Sequence, residues 1–394
     1  MIRTEIENGK LVAYLDGRID ATNAPETQRA LEEAMAAHPG LELVIDAGAA
    51  AYISSAGLRM LQHIRNAQGS LTVRNVTPEV WDILDMTGFT TLMTVKRKPR
   101  EVSVEGCEVV GRGAIGTVYR LDEDTIVKVY EIPDSLPMIE NEQRRAKQAF
   151  LRGIPTAISY DIVKVGDKYG SVFEMLKAAT FNDLLIAHPD ERDDIIRRYA
   201  RFVRQFHAVE MEKGELPEAK AVFLGYLEDL RTLLPEALHA RLEALFGALP
   251  ENLHAIHGDI HMKNIMFSGG EPLLIDMDTL SVGDPVFDLM SLYVAYVQFT
   301  EDDPGNTPQF FGISDDDGRY LWKGLLRCYF EGLDAPALRM AEERIVVVAL
   351  VRFLFLIAVL NIGKPELRQI RIDHALARLE ALAPRVDSLE VGSL

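Results

Sequence analysis

Residues 257–278, HGDIHMKNIMFSGGEPLLIDMD, constrain this chain more than any other stretch. They place carboxylates, an amide and a short apolar run in a fixed order. Asp259 sits in a polar loop, where a carboxylate can accept a proton from an attacking hydroxyl. Asn264, five positions on, offers a neutral oxygen suited to a hard cation such as Mg²⁺. Residues 272–275, PLLI, read as a buried strand ending at Asp276, a carboxylate placed to hold a second face of a metal–phosphate cluster. Asp278 follows two positions later and, in extended backbone, points the same way. Asp and Asn in loops also cap turns, so the segment needs support from the rest of the chain.

That support comes from residues 109–130. VVGRGAIGTVY carries G-x-G-x-x-G-x-V, with Gly111, Gly113 and Gly116 free to bring backbone N–H groups up to triphosphate oxygens. A dinucleotide-binding fold would follow such a motif with a helix, but residues 125–130, TIVKVY, read as a strand. Lys128 stands in that strand among apolar residues and would touch the α- and β-phosphates of ATP. Residues 140–152 have helical composition and hold Glu140 and Glu142, one of which should pair with Lys128; helices are rich in Glu, and both could instead be solvated. Residues 169–176 read as a strand entering a hinge, where backbone groups from Glu174 to Leu176 would meet an adenine edge. Residues 190–207 and 227–249 read as long amphipathic helices, with His207 near a helix end in a structural role.

The pattern H-G-D-x-H-x-x-N followed by I-D-x-D resembles the aminoglycoside phosphotransferase and choline kinase group of protein-kinase-like enzymes. Protein kinases of the eukaryotic type have Arg where Gly258 stands, Phe-Gly where Met277-Asp278 stand, and an A-P-E signature not found here. These departures favour the branch acting on small molecules. The resemblance implies a bilobal fold, with Asp259 as catalytic base, Asn264 and Asp276 as Mg²⁺ ligands, and ATP as phosphoryl donor. It favours Glu142 over Glu140 as the partner of Lys128. It gives an aspartate of GDPVFDLMSL, Asp284 or Asp288, the task of steadying the catalytic loop. The acidic stretch from Glu301 to Asp317 lies where the family builds its acceptor pocket; it reads as a solvated loop or, more sharply, as a wall for an amine.

The first hundred residues follow another pattern. Residues 11–15 alternate as a strand, with a turn from Gly17 and Asp20; residues 26–37 are rich in helix formers after Pro25. Residues 41–45 read as a strand ending at Asp46, the helix after Ser54-Ser55-Ala56-Gly57 has an apolar period, and residues 71–73 and 78–86 add a strand and a helix. This alternation suggests a small α/β domain with a mixed sheet. LDGRIDATNAPE, VIDAGAAAYISSAGLRML and TPEVWDILDMTGF resemble the STAS domain of anti-sigma factor antagonists. In that family a Ser at the start of the helix is phosphorylated, and matching Gly57-Leu58 puts Ser55 at the acceptor position. Ser54 stands where many members have Asp, and Asp20 matches an acidic position near the acceptor. A phosphate at a helix N-terminus gains from free N–H groups and the helix dipole, but Ser-Ser before an apolar helix also serves simply as an N-cap.

Composition bounds the rest. With 394 residues, 48% hydrophobic and 26% charged, the chain is long enough for two or three domains with their own cores. No cleavable signal pattern opens it, and the longest apolar run, residues 345–360, has Arg352 at its middle and reads as a buried helix. Two isolated cysteines, Cys107 and Cys328, fit a reducing cytoplasm. Residues 1–100 have a net charge of −1 and the remainder −17, which repels nucleic acid and anionic membrane and attracts cationic solutes, or confers solubility alone. VKRKPR, from Val95, reads as a linker.

The expected architecture is α/β plus α+β: a STAS domain at 1–95, a linker at 96–104, a kinase-like N-lobe at 105–178 and a helical C-lobe at 179–394. The expected activity is transfer of the ATP γ-phosphate to a hydroxyl of a small molecule such as an amino-alcohol or sugar. Two alternatives accompany it: phosphorylation of Ser55 on this or another STAS domain, and a non-catalytic nucleotide sensor. The partners expected are the hydroxyl acceptor and an anti-sigma-type or other STAS-binding protein, with no nucleic acid and no membrane span.

Overall fold

The computed structural model describes residues 2–113, 115–176, 178–268 and 271–392, and for Ser268 the backbone alone. Ala114 of the glycine motif and residues 269–270 of the opening segment lie outside the described residues. The chain divides into two compact units, residues 1–103 with 163–167, and residues 104–162 with 168–394.

In the first unit, β1 (Arg3–Glu7) and β2 (Lys10–Ile19) form an antiparallel hairpin closed by Asn8-Gly9. Both turn residues have positive φ, 49° and 74°, the backbone a two-residue hairpin turn demands. Helix α1 (Ala24–Ala37) leads to β3 (Leu43–Ile53), α2 (Ser55–Gln68) to β4 (Thr72–Val76), and α3 (Pro78–Met86) with α4 (Phe89–Leu92) to β5 (Thr94–Arg97). The sheet order is β1-β2-β3-β4-β5, with every pair after the hairpin parallel. Strand β6 (Arg100–Glu101) pairs in parallel with Val163 and Lys164 of β10 (Asp161–Val165). The inner faces of the sheet and helices share one core, including Leu31, Ile45, Leu61, Ile64 and Leu84.

Three expectations for this unit are corrected. Gly17 does not start a turn: it lies within β2 at φ 66°, where the register against β3 shifts as at a bulge. Strand β3 does not stop at Asp46 but continues through AGAAAYI, because β2 goes on pairing with it to Ile53 after the pairing with β4 has ended at Asp46. The first residues read as linker, Val95 to Arg97, belong to β5, which pairs in parallel with β4.

The second unit opens with an antiparallel sheet, β7 (Val109–Arg112), β8 (Gly116–Arg120), β9 (Thr125–Tyr130) and β11 (Lys168–Glu174), in the order β11-β9-β8-β7. Helix α5 (Leu136–Leu151) follows β9 in the chain. Helices α6 (Phe181–Ala187), α7 (Arg192–His207), α8 (Ala219–Asp229) and α9 (Glu236–Gly247) then lead to two small ribbons: β12 (Ala255–Ile256) with β15 (Ser281–Val282), and β13 (Ile265–Ser268) with β14 (Glu271–Leu274). Helices α10 (Val286–Tyr293), α11 (Phe299–Glu301), α12 (Asn306–Phe311), α13 (Asp315–Tyr329), α14 (Ala335–Leu354) and α15 (Arg368–Leu382) complete it. The fold is mixed α/β, sheet-rich at the start of this unit and helical at its end.

The expected single helix over 227–249 is two. Pro235 has no N–H for a helix ladder and caps α9 instead, so the chain turns between Asp229 and Glu236. Helix α14 is buried on nearly every side from Ile345 to Leu354, which explains the unbroken apolar run; among the described residues no helix is long and apolar enough to cross a membrane. The acidic stretch is not a solvated loop. The Asp303 carboxylate is buried between Lys364 at 2.7 Å and Arg371 at 3.3 Å, Asp302 meets His374 at 2.5 Å, and Glu301 pairs with Arg378. Asp315 accepts from the Gly305 and Thr307 backbone N–H groups at 2.6 and 3.2 Å. The carboxylates of residues 301–303 hold structure together because side chains sixty and more residues away in the chain close on them, a pairing invisible to local reading.

Candidate active site

Strand β9 sends Lys128 and Tyr130 to the same side, as alternation requires. The Lys128 Nζ lies 3.5 Å from Glu142 of α5 and forms an ion pair with Asp276. Tyr130 donates its hydroxyl to the other Glu142 oxygen at 2.6 Å, so both oxygens of this buried carboxylate are engaged. Burial pulls the Lys128 ammonium down, yet the charges of Asp276 and Glu142 more than offset it and hold it above the ordinary lysine value. Burial and then the Glu142 charge push the Tyr130 phenol up, so it stays a donor. The geometry makes Glu142 the glutamate of α5 that meets Lys128.

The glycine hairpin joins β7 to β8. Gly113 donates to the Gly116 carbonyl at 2.9 Å, closing the loop. A Cβ on Gly116 would sit 2.3 Å from the Val129 carbonyl oxygen, so sheet packing alone requires this glycine. A Cβ on Gly111 or Gly113 would meet nothing closer than 3.8 Å, so packing within the described residues does not by itself require a glycine at either position. At the end of β11, Glu174 is in register with Thr125, and Met175 donates its N–H to the Asp124 carbonyl at 2.7 Å. Half-buried Leu176 follows directly.

The loop after β12 is held at several points. Asp288, a fully buried carboxylate of α10, accepts from the backbone N–H of His257 at 2.8 Å and of Gly258 at 2.5 Å. His207 of α7 lies 2.9 Å from Asp288 through Nε2 and 2.7 Å from the Tyr329 hydroxyl through Nδ1. His257 donates from Nε2 to the Ile275 carbonyl at 2.9 Å, and its Nδ1 accepts from the Asp259 N–H at 3.3 Å; one neutral tautomer satisfies both. Gly258 has φ 84°, and a Cβ there would lie 2.9 Å from the Cβ of Thr279. No arginine of the protein-kinase kind fits at this position.

These restraints leave the Asp259 carboxylate half-exposed, with His261 Nε2 at 3.5 Å. Asn264 donates from Nδ2 to the Asp259 carbonyl at 2.8 Å and reaches its carboxylate at 3.5 Å, which leaves the amide oxygen as the end available to a cation. The Asn264 carbonyl accepts from Ile275 N–H at 3.0 Å, tying the loop to the segment that joins β14 to Asp276. Asp276 itself is left-handed, φ 63° and ψ 59°, a conformation costing a non-glycine residue roughly 1–2 kcal/mol. Its carboxylate is 43% exposed, open enough to take a ligand. Two oxygen donors, one neutral and one anionic, fit the few protein ligands that Mg²⁺ keeps beside phosphates and waters. Asp278 is more buried; burial, then the nearby Asp276 and Glu142 charges, push its carboxyl up to about 6.

Lys128, Glu142, Asp259, Asn264 and Asp276 are thus brought together through a few direct contacts. Sequence reading passed over Tyr130, which alternation two positions from Lys128 could have found, and Arg145, which donates to the Asp278 carbonyl from the turn of α5 after Glu142. In the other unit, Ser54 rather than Ser55 caps α2, accepting from Ala56 and Gly57 at 3.2 and 3.5 Å. Ser55 is the exposed first residue of the helix. Asp20 accepts from the Thr22 N–H and hydroxyl at 2.9 and 2.6 Å, and the Ser54 N–H donates to the neighbouring Ile19 carbonyl.

Comparison with known proteins agrees with this architecture. Residues 1–102 match the STAS domain family. The same part of the chain is 32% identical over 92 residues to BtrV of Bordetella bronchiseptica, named as a candidate anti-sigma factor antagonist, covering 22% of this chain and 78% of that protein. Among solved structures, the ADP-bound aminoglycoside phosphotransferase APH(2'')-Ib is similar with a TM-score of 0.47 and 15% identity, over 71% of this chain and 95% of the other. A choline/ethanolamine kinase family protein from Mesorhizobium loti gives a TM-score of 0.44 and 19% identity, over 70% and 87%. Residues 106–325, more than half of the chain, match the phosphotransferase enzyme family, APH, and the chain therefore belongs to that family, with a STAS domain before it.

Proposed function

We propose that this protein is an ATP- and Mg²⁺-dependent phosphotransferase that moves the γ-phosphate to a hydroxyl of a small molecule of amino-alcohol or sugar type. The observation that carries this reading is the joining of Lys128 to both Glu142 and Asp276, with Asn264 fastened to Asp259. Lys128 would position the α- and β-phosphates beneath Gly111, Gly113 and Gly116. Asn264 and Asp276 would hold Mg²⁺, which neutralises charge developing on the transferred group. Asp259 would orient the acceptor hydroxyl and take its proton. Glu174 and Leu176 would present backbone groups to adenine. Most carboxylates of the acidic stretch are engaged within the fold, so an amine would meet few of them free. A reducing cytoplasm suits the two unpaired cysteines.

The STAS domain would serve regulation or docking, and the name carried by BtrV points to an anti-sigma-type protein as its partner. A second reading is supported by Ser55. Because Ser54 takes the capping role, the exposed Ser55 hydroxyl is left for modification, and a kinase-like domain on the same chain would meet it at high effective concentration. Incubation with γ-labelled ATP and Mg²⁺, beside Asp259→Asn and Ser55→Ala variants, separates the two. Label transferred to members of a panel of amino-alcohols and sugars, and lost in Asp259→Asn, supports the first. Label on the protein that disappears in both variants supports the second. Transfer undiminished in Asp259→Asn overturns the assignment of the base.

A further inference from the structure

A cavity of about 180 Å³ opens within the second unit, beside the loops that carry Asp259 and Asp276. None of Lys128, Glu142, Asp259, Asn264 and Asp276 lines it, so it is separate from the site just described. Its walls are apolar over one part, with Phe223, Phe287 and Met290, and Val222 stands exposed at its rim. At the polar part, Arg145 of α5, Arg352 of α14, Asp278 and Thr279 line it. Two guanidiniums against a single carboxylate leave the lining net positive, in a protein whose net charge is −18.

One of the two cations is incompletely satisfied. Arg145 donates one Nη to the Asp278 carbonyl, while its Nε is buried without a hydrogen-bond partner among the described residues. Burial holds this guanidinium below its ordinary value, a cost that a bound anion would relieve. Arg352 donates to the Tyr226 hydroxyl at 2.6 Å, a neutral partner. Arginine forks recognise carboxylates, and an engineered apolar cavity of about 150 Å³ admits benzene. The space and the donors together suit a ring-sized or branched apolar body bearing one anionic group.

We infer that this cavity binds a small organic carboxylate between Arg145 and Arg352, and that its occupancy strengthens nucleotide binding. The coupling rests on the nucleotide reading of Lys128 and Asp276. Glu142 and Arg145 are three residues apart and share a face of α5. The turn Met277–Thr279 directly follows Asp276, and it receives the Arg145 hydrogen bond. A carboxylate fixed at Arg145 therefore holds α5 and the Asp276 turn in the arrangement in which Glu142 and Asp276 flank Lys128. A ligand that binds this arrangement more tightly shifts the population toward it.

Calorimetric titration of the full chain with benzoate, isovalerate and the neutral isostere benzamide tests the site. Saturable binding of benzoate or isovalerate with Kd of about 0.1–1 mM is expected, benzamide at least about tenfold weaker, and both carboxylates lost in Arg145→Met and Arg352→Met. Val222→Trp, at the exposed rim, blocks entry while leaving the guanidiniums in place and covers the case in which an arginine variant fails to fold. Absence of saturable binding by both carboxylates, or equal binding of benzamide, overturns the site. ADP–Mg²⁺ affinity should rise about fivefold or more in saturating benzoate; an unchanged value overturns the coupling. Benzoate binding in a protein that does not bind ADP supports the cavity and sinks the nucleotide reading instead.

Discussion

Lys128 makes an ion pair with Asp276 while its Nζ remains 3.5 Å from Glu142, so a single ammonium joins strand β9, helix α5 and the turn that follows β14. Replacing it with Met leaves two carboxylates facing one another without a counter-charge. We expect Lys128→Met to lower ADP–Mg²⁺ affinity at least about tenfold and phosphoryl transfer about a hundredfold. The folding cost should be about 2 kcal/mol, below that of a wholly buried broken pair because Asp276 is open to water. Nucleotide titration and denaturant unfolding read the two effects separately.

Gly258 is the next test. Ala at φ 84° is strained, and its Cβ would press on Thr279, whose hydroxyl donates to the His257 carbonyl at 2.6 Å. Gly258→Ala should cost about 2–4 kcal/mol and displace the Asp259 loop. Unfolding midpoints and turnover should fall together; wild-type values in both measurements would refute the packing argument.

Asp278 makes stability depend on pH with an unusual sign. Its folded carboxyl is raised to about 6 from the ordinary 3.8, so between these values the folded state holds more proton than the unfolded. Its contribution is therefore greatest below about pH 4 and declines as pH rises to about 6, against the trend of the chain's salt-bridged carboxylates. Asp278→Asn should flatten this component and stabilise the protein at pH 7 by about 2 kcal/mol. Chemical unfolding of both proteins from pH 4 to 7.5 measures it, and a variant curve parallel to wild type would count against the burial argument.

The two serines of α2 separate cleanly. Ser54→Ala removes the cap and should cost about 1 kcal/mol, whereas Ser55→Ala should fall within about 0.5 kcal/mol of wild type. Thermal unfolding of both variants decides which serine holds the helix.

Much of this was legible because the decisive residues sit close in sequence to elements with strong periodicity. Lys128 among apolar strand residues, Asp276 after PLLI and the glycine hairpin all announce themselves locally. The Asn8-Gly9 hairpin turn was equally legible and went unread. What local reading could not supply is partnership at a distance. Asp303 looked solvated because Lys364 and Arg371 lie more than sixty positions away. Gly116 looked like a phosphate-loop glycine, yet the Val129 carbonyl already requires it. The break at Pro235 was in plain view, but helical composition on both sides outweighed it.

The hydrogen bonds that run from Gly258 through Asp288 and His207 to Tyr329 carry a practical consequence. Tyr329 is 122 positions from His207 in the chain, and neither touches a reacting atom in the proposed chemistry. A genetic screen for inactive variants would nonetheless return both, alongside Asp259 and Lys128. Its hits would trace a line from the loop to the middle of the helical core, and mistaking that line for the substrate pocket would enlarge the pocket in the wrong direction.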